Sequence, residues 1–108
     1  MSITLPEPVV AFFAAANRDD ADALSLCFVD GAVVRDEGRR IKGIAAIKRW
    51  HSEAKKKYHH TLEPVDSVER DGKIVVIGKV SGSFPNSPVN LEHIFGLRGG
   101  RIASLEIR

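Results

Sequence analysis

Four histidines stand at positions 51, 59, 60 and 93, and two of them close the run "KKKYHH", Lys55 to His60. Such a run could serve a phosphate backbone, a metal ion or an acid–base pair in a pocket, or it could be an ordinary helix end running into a strand. Neighbouring side chains on a strand point to opposite sides, so His59 and His60 cannot readily chelate one ion together. Cys27 is the only cysteine, which excludes an intrachain disulfide and a cysteine-based zinc site. Within "LSLCF" it reads as a small buried hydrophobe. "RGGR" (98–101) is a hairpin tip with no following helix to complete a phosphate-binding loop. The formal charge of +2, from 16 basic and 14 acidic residues, is too small to imply a polyanion partner, and no nucleic acid or metal is expected. An acid–base role and a plain helix end remain open.

The acid–base candidates are Asp36, His60, His93 and Glu106. Asp36 ends the strand "VVRDEG", where it either looks into a pocket as a base of raised pKa or is a solvated acid beside Arg35 and Glu37. His93 and Glu106 become cross-strand neighbours in a simple hairpin register. They then form either a carboxylate-oriented imidazole or a polar pair at the sheet's end. Trp50, Tyr58 and His51 lie on or beside the buried stripe of a helix, as core or as pocket wall. Phe12, Phe13, Phe28, Phe84 and Phe95 carry the same two readings.

The elements that must position these residues follow from periodicity. Thr4 and Glu7 have capping-box spacing and Pro6 suits a first turn, so a helix should begin there, its body "PVVAFFAAAN" buried on most sides. Asp20 can cap a second short helix, "ADALSLCFV", with Leu24, Cys27 and Phe28 on one face. Asp30-Gly31 ends it before a short strand, "AVVRDE". The third helix, "IAAIKRWHSEAKKKY", repeats Ile44, Ile47, His51, Ala54 and Tyr58 at helical spacing, and Lys55 to Lys57 suit the negative end of its dipole. From His59 the period is two. Asp71-Gly72, "PNSP" and Gly99-Gly100 mark three turns joining four antiparallel strands. Tyr58 and His60 should turn inward and His59 outward. A strict register puts His60 opposite in face to His93 unless Glu63-Pro64 carries a bulge.

With Leu97 facing Ile102 and Val80 beside His93, one sheet face carries Val76, Val80, Leu91, His93, Phe95, Leu97, Ile102 and Glu106. The other carries Val68, Val75, Ile77, Ile94, Leu105 and Ile107. Both are apolar, and three helices cannot cover both sides, so a homodimer packed sheet to sheet is expected. Hydrophobic residues at 44% and charged residues at 28% fit one soluble globular domain spanning 1–108. "MSITLPEPVV" lacks the features of a signal peptide, and no apolar stretch approaches the ~20 residues that span a bilayer. A cytoplasmic protein without membrane contact is expected.

The helix–helix–"FVDGAVVRDEG"–"IKGIAAIKRW"–meander order and the ending "SGSFPNSPVNLEHIFGLRGGRIASLEI" resemble the SnoaL-like branch of the NTF2-like superfamily, over essentially the whole chain. The resemblance implies an α+β cone: a strongly bent, mostly antiparallel sheet wrapped around three N-terminal helices, with a pocket at its open end. Dimers are common in that superfamily. It also implies cofactor-free acid–base chemistry (isomerase, cyclase or dehydratase type) on a small apolar oxygenated molecule, or else a non-catalytic binding or protein-interaction module. Asp36, His60 or His93 would be the base, Tyr58 or Trp50 a donor, and Trp50, Tyr58, Phe12, Phe28 and Phe95 the wall. The tyrosine that ketosteroid isomerases carry on the first helix is replaced here by Phe12 and Phe13. The Asp–Arg–Asp set of epoxide hydrolases has only Arg35-Asp36 as a counterpart.

Overall fold

The computed structural model describes residues 4–108. Helix α1 (Glu7–Asn17) is followed by the short α2 (Ala21–Ser25), strands β1 (Phe28–Asp36) and β2 (Arg39–Lys42), and helix α3 (Ile44–Tyr58). Four strands complete the chain: β3 (Thr61–Arg70), β4 (Lys73–Ser81), β5 (Val89–Arg98) and β6 (Arg101–Ile107). All six strands form one sheet in the order β2-β1-β6-β5-β4-β3. Every pairing is antiparallel except β1 with β6.

The helix starts differ from expectation in part. Asp20 caps α2, its Oδ1 accepting the Ala23 N–H at 3.0 Å. At α1 no side chain caps the first turn, and Pro6 itself is the N-cap, so the Thr4–Glu7 capping box is not formed. Helix α1 buries Val9, Phe12, Phe13, Ala15 and Ala16 but leaves Val10 half exposed. It is covered on one side, not on most. Helix α2 ends at Ser25, and Phe28 already belongs to β1. Phe28 is buried as expected, but by strand geometry.

Three two-residue turns, Glu37-Gly38, Asp71-Gly72 and Gly99-Gly100, have positive φ at both positions. That is the type I′ geometry whose twist matches the flanking strands. Two of the meander's hairpins, β3–β4 and β5–β6, therefore turn where the sequence indicates. Away from the turns, bulges take over. In β5–β6 Leu97 pairs with Ile102 as expected, but Gly96 then pairs with Ser104, leaving Ala103 as an extra residue. The strand can close there because a Cβ on Gly96 would meet Ser104 Oγ at 2.5 Å. A one-residue slip reverses every later side chain. Leu105 and Ile107 thus join Phe95 and His93 on the inner face, and Glu106 turns outward opposite Ile94.

In β3–β4 Pro64 pairs with Gly78 and Asp66 with Ile77, so Val65 is the extra residue. This bulge brings the start of β3, with His60, to the inner side. Between β4 and β5, His93 pairs with Val76 and Val80 with Val89, four positions from the expected register. The cause is a larger loop. Ser83 N–H donates to the Tyr58 carbonyl at 2.7 Å and Gly82 N–H to Ser87 Oγ at 3.0 Å, which fastens residues 82–87 to the end of α3. Because the shift is even, it leaves the faces unchanged.

The inner face meets α1 and α3 in a core where Phe12 contacts Phe13, Phe28 and Phe95 at centroid separations of 5.5, 6.0 and 5.5 Å. Asn17, at the end of α1, pairs with the edge strand like a backbone unit. Its Nδ2 donates to the Leu62 carbonyl at 2.8 Å and its Oδ1 accepts the Leu62 N–H at 2.7 Å. Among the described residues no helix is long and apolar enough to cross a membrane.

Candidate functional site

Between α3, the ends of α1 and β1, and the inner face of β3–β6 lies a cavity of about 370 Å³. It lies within the size range of small-molecule sites, roughly 300–1,000 Å³. Most of its wall is apolar, from Phe12, Leu62, Val80, Leu91 and Ile107. Into that wall project Asp36, Glu37, Trp50, His51, Tyr58, His60 and His93.

Asp36 reaches the cavity because the Glu37-Gly38 turn ends β1 directly after it. Trp50, on the facing side of α3, donates its Nε1–H to Asp36 Oδ2 at 2.9 Å. Burial raises the Asp36 pKa above the usual carboxylate value, opposed by the Trp50 hydrogen bond and reinforced by the charge of Glu37. Glu37 was not singled out in the sequence. It accepts a hydrogen bond from Tyr58 Oη at 3.2 Å, and Tyr58 meets Phe84 edge-on at 5.9 Å.

The three inner histidines differ in support. His93 is 1% exposed. Its Nδ1 lies 3.1 Å from the Leu91 carbonyl, and its ring packs 5.6 Å from Phe13. Burial pushes its pKa down to about 4. A Cβ on Gly78 would come within 2.8 Å of the His93 ring, so the missing side chain at 78 is what makes room for the imidazole. His60 enters from the start of β3 with its Nδ1 buried and, among the described residues, without a hydrogen-bond partner. Burial, then the Lys55 and His51 charges, lower its pKa. His51, from the middle of α3, holds Asp19 Oδ1 through Nε2 at 3.0 Å. Burial lowers its pKa against the opposing pull of Asp19. Lys55 is more than a charge at the helix end, since its Nζ bonds the Ala16 carbonyl at 3.3 Å and also the His60 carbonyl.

Of the residues read from sequence, Asp36, His60, His93, Trp50, Tyr58 and Phe12 meet at this cavity. Phe28 and Phe95 do not line it and are fully buried core. The His93–Glu106 pair is not formed. His93 stands opposite Ile107 and faces in, while Glu106 faces out and contacts Arg108 at 3.3 Å. The Ala103 bulge separates them. His59 is exposed, but as the left-handed C-cap of α3 and not as a strand residue. Glu37, Asp19 and the clearance at Gly78 escaped the sequence reading. The "DG" and "EG" turns carried the only available signal, by showing that the residue before each turn ends its strand.

This combination defines the class: an α+β fold of three helices and a six-stranded mixed sheet, with an acid-bearing apolar cavity. The SnoaL-like domain family matches residues 9–105, and the chain belongs to that family. It is similar to a polyketide cyclase-type protein from Sinorhizobium meliloti, at 47% identity over 96% of this chain and 95% of that one, with a TM-score of 0.92. A ketosteroid isomerase-like fold protein from Catenulispora acidiphila, in complex with trimethylamine, is 19% identical. It covers 97% of this chain and 86% of that one, at a TM-score of 0.84. A polyketide cyclase-type protein from Xanthomonas campestris is 20% identical over 93% and 85%, at 0.73. At such identities the last two show the fold alone. No curated protein matches the chain.

Proposed function

We propose that this SnoaL-like protein is a cofactor-free acid–base enzyme of the isomerase, cyclase or dehydratase type, acting on a small apolar oxygenated molecule. The observation that carries the reading is Asp36, a half-buried carboxyl in an apolar wall, raised in pKa and fixed by one indole N–H. A carboxylate so placed can take a proton from carbon next to a carbonyl and give it back elsewhere. Neutral donors nearby, such as His60 and Tyr58, can meet the charge that develops on oxygen. A cavity of about 370 Å³ suits a molecule of about two or three fused rings. The likeness to a polyketide cyclase-type protein at 47% identity agrees with that choice.

The bicyclic ketone 2-tetralone tests the reading. In D₂O the wild-type protein should accelerate deuterium incorporation beside the carbonyl, and Asp36→Asn should lower the rate by about a hundredfold or more. Saturable binding of 2-tetralone without accelerated exchange would favour the non-catalytic binding module instead. The outer sheet face, with Val68 exposed and Ile77 half-buried, supports self-association of cytoplasmic copies as a further part of the proposal. It is less apolar than the sequence suggests, because Leu105 and Ile107 face inward.

A further inference from the structure

Asp36 leaves one carboxylate–imidazole arrangement at the cavity unused. The His51 ring lines the cavity while only 3% exposed. Its Nε2 is committed to Asp19 at 3.0 Å, so Nδ1 is the nitrogen left for chemistry. Asp19 lies in the α1–α2 connection with φ +56, a left-handed conformation that Asp and Asn tolerate better than most residues. There its carboxylate meets the α3 imidazole. Beside it, the His60 ring is 6.5 Å from that of His51, too far for a direct hydrogen bond between them. Among the described residues His60 Nδ1 has no hydrogen-bond partner.

We propose that Asp19 and His51 form the second proton-transfer centre of this site, with His51 accepting a substrate proton through Nδ1 and Asp19 as its positioning residue. The inference rests on the acid–base reading of Asp36 and supplies that residue's partner. Neutral His51 donates Nε2–H to Asp19 and keeps a lone pair on Nδ1. A substrate proton moves to Nδ1 and its bonding pair stays on the substrate. The imidazolium so formed faces the Asp19 carboxylate and later returns that proton to the substrate, as Asp36 returns the carbon proton it has taken. Each group gives back the proton it took, so both are restored and no further reactant is needed. The groups that face His51 are Asp19 from the α1–α2 connection, Lys55 one turn along α3 and His60 from the start of β3. Burial and Lys55 favour the neutral ring, and Asp19 favours the charged one.

The test uses the full chain labelled with ¹⁵N-histidine, together with exchange into 2-tetralone. Asp19→Asn suits the exposed, left-handed position and should leave the fold intact. It should slow exchange about tenfold and His51→Gln about a hundredfold. Loss of the Asp19 charge lets the His51 pKa fall further, so in Asp19→Asn the acid limb of the rate profile should move to lower pH. In wild-type spectra His51 should be the Nε2–H tautomer, and Asp19→Asn should erase that preference. Three results would overturn the proposal. If Asp36→Asn abolishes exchange while Asp19→Asn and His51→Gln keep the wild-type rate and pH profile, the dyad alone fails. If His51 is the Nδ1–H tautomer, the dyad again fails alone. No exchange by wild-type protein would remove the Asp36 reading and the dyad with it.

Discussion

Asp36 shows how a common residue acquires a special setting from its neighbours. Burial raises its pKa and the Trp50 N–H opposes the rise, so Trp50→Phe should move the carboxyl titration upward, as ¹³C NMR would read. Unchanged titration would mean that the indole does not tune it. Gly78 makes the complementary point. Gly78→Ala must displace the His93 ring, since the added carbon falls 2.8 Å from it. Overpacking of this kind costs about 1–3 kcal/mol, measurable as a lower urea midpoint at unchanged slope. The chemistry-bearing residues of the inner face were legible in the sequence, because Trp50, His51 and Tyr58 follow a helical stripe and Asp36 precedes a turn. Asp19 and Glu37 were not legible. Each contributes through a contact between elements distant in the chain, to His51 and to Tyr58, and no local pattern encodes such a contact.

Among the elements, the two-residue hairpin turns were readable, and of the bulges only the one beside Pro64 was foreshadowed. Asp71-Gly72 and Gly99-Gly100 announce themselves by residue type. The extra residue at Val65 follows a proline that hints at a bulge, whereas the one at Ala103 has no such signature and depends on how neighbouring strands close. Two slips had opposite consequences for the site: one brought His60 inward, the other sent Glu106 outward. The end of α3 offers a test at this scale. His59 holds φ +49 at the C-cap, is exposed, and donates its backbone N–H to the Lys55 carbonyl at 2.8 Å. A left-handed conformation strains a side-chain-bearing residue. His59→Gly should therefore raise stability by about 0.5–1 kcal/mol in urea denaturation. A loss would show that the imidazole makes a stabilising contact of its own.

For the whole molecule, two buried imidazoles and the half-buried His60 set the response to acid. His51, His60 and His93 all have folded pKa values below 6.5, that of His93 about 4. The unfolded chain therefore binds protons first as pH falls through 6.5, and stability present at neutral pH is lost toward pH 4. His93 alone contributes about 3 kcal/mol of that loss. Asp36, with its pKa raised, acts in the opposite sense and only below neutrality. Urea midpoints should fall between pH 7 and pH 5, and a flat profile would contradict the burial of these rings. Self-association through the outer face should appear as a dimer in light scattering at micromolar concentration, and a monomer would remove it. The proposed chemistry turns on Asp36 being a half-buried, poised carboxyl, and its titration in wild-type protein by ¹³C NMR measures that directly. A midpoint above the ordinary value of 3.8 is what the structure predicts, whereas a midpoint at or below it would contradict the proposed chemistry.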